Sequence, residues 1–507
     1  MKRSFTILLF LILCMGFRAF PQDYSPYFNL DQYKRYTDYL INSGKLKMTH
    51  PLNQPFVANE LSDSLPDLTS HYDKHWLGLL NKDLGKFSTV ADSLNRYGKL
   101  IAGVEAGFRG NFEQDEWKDE FFGSAFASYG YRNFGLYYRF EADEAFKTDT
   151  FYFGSSGKLD NPIYYRTAEA YFKWDIKNVS LFIGRSGLNC GIMNEPSLIV
   201  SDNPLSYDRA GLVFSNRVLR FTTFISRLDD IYGYDVRDSI STYSWNKRYL
   251  AMHRFEISIT PKIEFAFTET MLFGGEDQNI LFQYINPVNI FYMSKQGERK
   301  GYEEGDANAF ASFELYYKPI KKVTLYGQFM IDDMDFTKEL RETYPDRIGI
   351  SSKIIYSDPF PGLQLYLSYN RISNWTYNSF YTWGNYTFYG KSLGYPKNGA
   401  ENVSLGLDCF RFAPVMASFL FKWEREREQD LQAPFIAEKT EFPIRISQQS
   451  VSTGINISYF PITYVTASLD LQYIQYSNYG HVDGIDKGFF NIMFRLKATG
   501  IFTLLDR

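Results

Sequence analysis

From about residue 98 to the end of the chain, apolar residues recur with a period of two, in segments whose connections are alternately short and long. Phe134, Leu136, Tyr138 and Phe140 alternate with Gly135, Tyr137, Arg139 and Glu141. Val323, Leu325, Phe329 and Ile331 alternate with Thr324, Tyr326, Gln328, Met330 and Asp332, with Gly327 in the apolar row. Val415, Ala417, Phe419, Phe421 and Trp423 stand against Ser418, Lys422 and Glu424. A period of two is that of the β-pleat. Each segment runs about 9–13 residues, which is what a tilted strand needs to cross a bilayer. One such segment also suits a soluble antiparallel sheet, so the connections must decide.

Tight links fall at Arg132-Asn133, Lys177-Asn178, Asn216-Arg217, Pro261-Lys262, 319–322, 358–362, Ala413-Pro414 and 461–463. Between them lie long polar loops at 110–118, 143–165, 187–209, 229–250, 274–308, 334–346, 373–401, 426–446 and 477–487. Short and long alternate without a break, the pattern of a transmembrane barrel with periplasmic turns on one rim and extracellular loops on the other. The phase predicts an all-β fold, a transmembrane antiparallel β-barrel of about 18 strands with both termini periplasmic. The last strand, about 487–502, ends in Leu504-Leu505-Asp506-Arg507 rather than in the terminal aromatic common in such proteins.

Composition agrees. The mean hydropathy is −0.31, yet aromatics make up 18% of the chain, with 40 Tyr and 46 Phe. A barrel reconciles the two, because alternate residues face water while aromatic girdles raise Phe and Tyr. No run beyond the N-terminus reaches the length of a helical span.

At the N-terminus, Lys2 and Arg3 precede an apolar run at 5–13, too short to span a membrane and suited to a signal peptide over 1–22. Cleavage is expected between 19 and 22, although Gly16-Phe17-Arg18-Ala19 is a poor small-x-small site. Cys14 follows Leu13, which lacks the small side chain a lipoprotein signal needs. Losing Lys2, Arg3 and Arg18 leaves 51 basic against 58 acidic residues, a net of −7. With no basic block, nucleic acid is not an expected partner. Cys190 and Cys409 remain, too few for a disulfide framework, and whether they pair is open.

Residues 23–95 read as a small helical module ahead of the barrel at 96–507. Asn29 can cap a helix with Tyr33, Tyr36 and Leu40 on one face and Gly44 as its stop. Pro55 can open a second helix bearing Phe56, Leu61 and Leu65, closed before Pro66. A third is predicted over about 70–84, with Tyr72, Trp76, Leu79 and Leu80 at helical spacing.

Chemical motifs are weak throughout. His71 and His75 stand one helical turn apart, but without the Glu of HExxH or a third ligand they read as surface histidines, and no metal or other cofactor is expected. His253 would need a partner such as Ser258 for nucleophilic chemistry, and nothing in the spacing requires that pairing. Gly154-Ser155-Ser156-Gly157-Lys158 lacks phosphate-loop spacing, and Gly184-Arg185-Ser186-Gly187 lacks the helix of a nucleophile elbow. Glu303-Glu304 and Asp332-Asp333 read as solvated loop and lumen charge rather than glycosidase carboxylates. No enzymatic activity is expected. Arg139, Glu141, Glu169, Lys173, Glu256, Glu264, Glu269, Glu314, Lys422 and Glu424 are assigned to lumen rows, since on the lipid face a charge costs up to about 2–4 kcal/mol near the midplane.

The loops at 187–209 and 274–308 mix Tyr and Phe with Asn, Asp, Gln and Arg. Aromatic faces can stack on sugar C–H surfaces, while amides, carboxylates and guanidinium groups hydrogen-bond hydroxyls or uronates. Asp202, Asn203, Asn286, Tyr292, Gln296 and Arg299 are the candidate polysaccharide-binding residues. At these loops the chain resembles the Wzi-type capsule assembly proteins, in the form found in Bacteroidetes. The matching stretches are IGRSGLNCGIMNEPSLIVSDNPLSYD (183–208), QYINPVNIFY (283–292), GDANAF (305–310) and LYGQFMIDD (325–333). The helix ending in Ser43-Gly44, followed by His50-Pro51-Leu52-Asn53-Gln54-Pro55, is similar to that family's leader module. Asn189-Cys190-Gly191 departs from it, standing where a Trp-Gly or Gly-Pro-Gly element is expected. No binding residue of other members carries over by position.

The resemblance implies an 18-stranded barrel in the outer membrane of a Gram-negative bacterium, plugged from the periplasmic side. It implies a protein that binds and anchors capsular or exopolysaccharide at the cell surface, without enzyme activity. Expected partners are that glycan, outer-membrane lipid and lipopolysaccharide, and the barrel assembly machinery during biogenesis. The rival reading is a porin-like channel for a small solute.

Overall fold

In the computed structural model, the described residues are 27, 32–62, 65, 70–87, 98–113, 116–157, 163–237, 240–291, 293, 307–333, 345–428, 431–433, 435, 442–443 and 445–506. The expectations for the signal segment, the Asn29 cap, Lys158 and Glu303-Glu304 lie outside them. None of the described helices is long and apolar enough to cross a membrane.

Eighteen antiparallel strands close into one barrel. They are β1 Lys99–Glu113, β2 Glu116–Tyr131, β3 Phe134–Asp143, β4 Tyr164–Ile176, β5 Val179–Arg185 and β6 Asp208–Ser215. There follow β7 Leu219–Arg227, β8 Ile240–Thr260, β9 Ile263–Gly275, β10 Ala307–Ile320, β11 Val323–Asp333 and β12 Arg347–Ser357. The wall is completed by β13 Leu363–Ile372, β14 Ala400–Cys409, β15 Val415–Glu426, β16 Gln448–Ile462, β17 Val465–Ser477 and β18 Lys487–Asp506. The first and last strands seal the sheet, from Lys99 opposite Asp506 to Phe112 opposite Ile492. Among the described strands the wall itself has no open edge, as a sheet in lipid requires.

Two of the expected long loops are remodelled. At 110–118 the described residues are strand rather than loop: β1 runs to Glu113, and β2 starts at Glu116, which pairs with it. The 229–250 connection is largely strand: Ile231–Arg237 folds back on the first half of β8 as a hairpin standing above the wall. Both extend pairing past what the membrane needs.

The pleat sorts side chains as the period of two requires. On β10, Ser312 and Glu314 are buried toward the lumen, while Phe313 and Leu315 are exposed on the outer surface. Ile257, Ile259, Phe265, Ile350, Ile354, Leu405, Ile455 and Leu496 continue this outer apolar band, the surface a bilayer wets. One lumen assignment is corrected. Glu269 points outward, because Thr268 and Thr270 on either side of it reach lumen groups, Arg254 and Tyr386.

The N-terminal helices fill the lumen near the short-turn rim. α1, Lys34–Ser43, ends at Gly44 (φ 75°), whose N–H donates to Ile41 O at 3.1 Å, while Leu46 N donates to Leu40 O at 2.9 Å. That double bond is the glycine-stopped helix terminus the sequence suggested. The second helix is shorter than expected: α2 covers Ala58–Ser62, leaving Phe56 and Leu65 outside it. α3, His71–Phe87, is preceded by Ser70, whose hydroxyl accepts from Asp73 N at 3.2 Å and donates back to its carboxylate.

Tyr36, Tyr39, Leu40, Trp76, Leu80 and Leu84 pack with Phe410, Met416 and Phe460 of the wall and its turns. Trp76 Nε1 donates to Phe410 O at 2.8 Å, and Tyr39 Oη donates to Asp358 Oδ1 at 2.6 Å. Lys318 Nζ donates to the Ile41 carbonyl near the end of α1.

Candidate functional site

The strands fix where the long loops start, and the loops at that rim close the lumen from above. Residues 187–207 leave β5 and descend into the barrel. Asn189 and Cys190 form a short antiparallel bridge with Gln54 and Asn53 of the N-terminal segment. The unusual Asn-Cys pair therefore sits where loop and N-terminal segment meet. The Asn189 carboxamide folds the loop on itself, accepting from Ser197 N at 3.0 Å and donating to Glu195 O at 3.2 Å. Gln328 on β11 holds the apex, accepting from Leu198 N at 2.8 Å and donating to Ser197 Oγ at 3.0 Å. Leu198, Ile199 and Val200 are fully buried. Burial pushes the Cys190 thiol up to about 12, and Cys190 and Cys409 are both free thiols.

A second inward loop, 373–399, packs on the first. Tyr377, in the left-handed region at φ 77°, donates its hydroxyl to Leu198 O at 2.6 Å. Its own N–H donates to Asp332 Oδ2 at 2.8 Å. Arg248 on β8 donates to three carbonyls of this loop, Trp383 at 2.8 Å, Asn385 at 2.6 Å and Thr387 at 2.8 Å, and pairs with Asp229 at 3.0 Å. Burial raises the Asp229 carboxyl above its ordinary value, even with Arg248 opposing it. The sequence reading passed over this loop. Its signal was compositional: eight aromatics stand among three asparagines between 374 and 390, denser than in either loop selected.

Among the described residues, two of the concavities opening at this rim lie against the inward loops. The larger, about 680 Å³, runs between β3, β4 and the 187–206 loop down to the N-terminal segment. Arg139, Glu141, Arg166, Glu169, Arg185, Lys34 and Asp202 line it, with the rings of Phe140, Phe153, Tyr165 and Phe388. Arg166 pairs with Glu141 and lies 4.4 Å over the Phe146 ring. The smaller, about 390 Å³, is walled by Phe151, Tyr152, Tyr232 and Tyr389, with Asp229, Thr382, Asn385 and Gln432 between the rings. Ring faces beside acceptors and amides can bind a polyhydroxylated ligand whose apolar C–H faces stack while its hydroxyls are satisfied.

Of the candidate residues, Asp202 and Asn203 lie together here. Asp202 lines the larger concavity and pairs with Lys34 of α1 at 3.1 Å. The Asn203 amide is committed to Ser392 O at 2.8 Å, joining the two inward loops. Asn286 is exposed on a segment packed against the outside of the wall, accepting from Val288 N at 3.2 Å, so the wall separates it from Asp202. Tyr292, Gln296 and Arg299 lie outside the described residues. His253 and Ser258 face opposite sides of β8: Ser258 bonds Glu264 in the lumen at 3.2 Å, whereas His253 pairs with the outward Glu269 at 3.1 Å. His75 lies 3.3 Å from Phe460 O, and His71 is exposed. Asp332 and Asp333 both pair with Arg347, at 3.6 and 2.8 Å.

Comparison with solved structures shows the same architecture. Wzi of Escherichia coli, described as an outer-membrane protein involved in group 1 capsule assembly and a carbohydrate-binding β-barrel, aligns over 92% of this chain and 97% of its own. The TM-score is 0.61 at 12% identity. OpdL of Pseudomonas aeruginosa aligns over 81% of this chain and 99% of its own, with TM-score 0.46 and 11% identity. OccD3 (OpdP) of the same organism gives 81% and 93%, with TM-score 0.46 and 10% identity. No curated relative matches the chain in sequence. Residues 100–404, more than half of the 507, match the family described as Capsule assembly protein Wzi. With its closed 18-stranded wall, lipid-wetted outer band and that match, the chain belongs to the Wzi family of outer-membrane capsule assembly proteins.

Proposed function

We propose that the protein binds capsular or exopolysaccharide at the long-loop rim and anchors it to the outer membrane, in a purely binding role without catalysis. The observation that carries this reading is closure of the lumen from both ends. The helices at 34–87 fill it near the short turns, and the loops at 187–207 and 373–399 interlock above them. A barrel closed in this way offers a surface rather than a path.

The glycan would be held by Asp202 and Asn203 at the larger concavity and by the Tyr232 and Tyr389 rings of the smaller. Tyr292, Gln296 and Arg299, outside the described residues, stay in the candidate set, whereas Asn286 stands on the outer wall apart from both concavities. In this reading the long loops are extracellular and both termini periplasmic. Segments 1–22, 23–95 and 96–507 serve as export signal, plug and barrel, with lipopolysaccharide around the wall and the barrel assembly machinery inserting it.

The test compares cell-attached with shed polysaccharide in a deletion strain, complemented by alanine variants of both loops. Synthesis at the normal level with glycan lost to the medium is the expected result. Unchanged attachment would overturn the proposal and leave the channel reading, which single-channel conductance then examines.

A further inference from the structure

The segment at 276–291 does not fold over the barrel mouth. It lies against the outer wall, where Tyr284 and Phe291 are buried with Tyr249, Ala251, Met271 and Phe273. These wall residues belong to the outward row, since their neighbours Leu250, Met252 and Leu272 pack into the lumen core. Beneath the segment lies a polar pair that a lipid-facing surface does not tolerate bare. Glu269 Oε1 is 3.1 Å from His253 Nδ1, and Glu269 Oε2 accepts from Phe291 N at 3.1 Å. The Phe291 ring stacks on the imidazole, centroids 4.0 Å apart at 28°.

The outer side of the same segment carries mostly apolar side chains, with Asn279 and Asn286 the exposed polar ones between 278 and 291. Phe282 is 87% exposed and Val288 66%, with Ile280, Ile285 and Ile290 also exposed. Residues 278–294 contain no charged side chain and no histidine, although Glu276, Asp277 and Lys295 flank them. Depth places the pair inside the membrane. His253 and Glu269 stand eight and seven residues from the short turn at 261–262, about 15–20 Å above it for a strand tilted near 45°. The apolar band of such barrels is about 25 Å tall. The exposed side chains run on into the outward Phe265, Phe313 and Leu315 of β9 and β10, the lipid-wetted surface already described.

We propose that 276–291 is a membrane-embedded flap. It is latched to the outer wall by the Glu269 carboxylate, with Phe282, Ile285, Val288 and Ile290 meeting lipid acyl chains in place of the strands it covers. The Glu269–His253 pair serves as its anchor, and removing it frees the segment toward water.

The experiment uses the full barrel in phospholipid bilayers, with a nitroxide at Phe282→Cys or Ile290→Cys. Cys190 and Cys409 are buried and stay unlabelled in the folded protein. References are Phe313→Cys on the outer wall and Asp483→Cys on an exposed loop. The expected ratio of collisions with oxygen to collisions with a water-soluble nickel chelate matches that at 313 and exceeds that at 483. A ratio like that at 483 overturns the flap. So do low collision rates with both reagents together with dipolar broadening, which mean a second copy covers the segment.

The latch is tested by adding Glu269→Ala, which removes the acceptor, or Phe291→Pro, which removes the donating N–H, should the first variant fail to show heat-modifiable migration. The ratio at 282 then falls toward the aqueous reference, and an unchanged ratio removes the latch. None of these readouts depends on glycan, so they fail or succeed independently of the polysaccharide proposal.

Discussion

Arg254 grips Glu314 with both terminal nitrogens, at 2.5 and 3.3 Å, and extends one of them to the Leu52 carbonyl at 3.0 Å. Both side chains are fully buried, so the wall and the N-terminal segment share one desolvated ion pair. Removing one partner of a buried pair typically costs about 3–5 kcal/mol, because the other charge stays behind without compensation. Glu314→Ala is expected near the lower end, since Glu256 Oε1 lies 3.5 Å from Arg254 Nε and supplies partial compensation. Urea unfolding of the detergent-solubilised barrel reads the loss. Protease release of the N-terminal segment from the folded wall reads its location. Unaltered resistance in both would show that the pair does not hold the segment.

His50 predicts how that attachment depends on pH. Burial opposes its charge, but the Glu264 carboxylate, Glu256 and the Asn216 carbonyl outweigh this and raise it above its ordinary value of 6.5. A raised base contributes stability that is complete below 6.5 and lost as pH climbs through the folded value. Asp38 on α1 acts in the same direction: burial pushes its carboxyl up to about 6, against Lys353 and the Gln364 amide. Its ionisation therefore costs folded stability above about 6, a cost that recedes as pH falls toward 3.8. The segment is expected to resist protease better at pH 6 than at pH 9. His50→Gln reduces the difference, and an undiminished difference in that variant would assign the effect elsewhere.

These contacts mark the boundary of what the sequence shows. Period two revealed the wall and its strand number, and period 3.6, with Gly44 as a stop for α1, revealed α1 and α3, because both signals are local. Parity was equally available and went unused. Glu264 and Glu269 are an odd number of residues apart, so a regular strand cannot turn both inward, and His253 and Ser258 are separated in the same way. Other features depend on contacts distant in sequence. That the 187–207 and 373–399 loops fold inward depends on the width left above the helices, and that 276–291 folds outward depends on a partner 22 residues away. The short α2 reflects chain laid along the wall, where Asn53 and Gln54 bond Glu256 and Gly191 instead of joining a helix.

Arg248 is the keystone of the upper closure, fully buried and donating to the Trp383, Asn385 and Thr387 carbonyls. Arg248→Ala leaves three buried acceptors without their donor and Asp229 without its counter-ion, at about 1–3 kcal/mol for each unsatisfied group. That is enough to open the 381–389 stretch locally without unfolding the wall. In planar bilayers the native protein is expected to be nearly silent, and the variant to show intermittent openings. Hydrogen exchange of 381–389 should rise in parallel. Steady conductance by the native protein would contradict the closure itself.

The rim concavities make the polysaccharide reading specific. Tyr232 is exposed at the smaller one, free of the buried loop packing, so Tyr232→Ala removes a stacking face with little effect on folding. Loss of one aromatic contact of about 1.4 kcal/mol weakens binding about tenfold. Asp202→Asn at the larger concavity keeps the shape and removes a charge whose Lys34 partner is partly exposed. On an acidic glycan that change should strengthen retention, since it removes like-charge repulsion and frees the ammonium for a uronate. On a neutral glycan it should leave retention unchanged or weaken it. Cell-attached polysaccharide in the two strains separates these cases. If Tyr232→Ala and Asp202→Asn both match the native strain on acidic and neutral capsules alike, the rim concavities are not where the glycan is held.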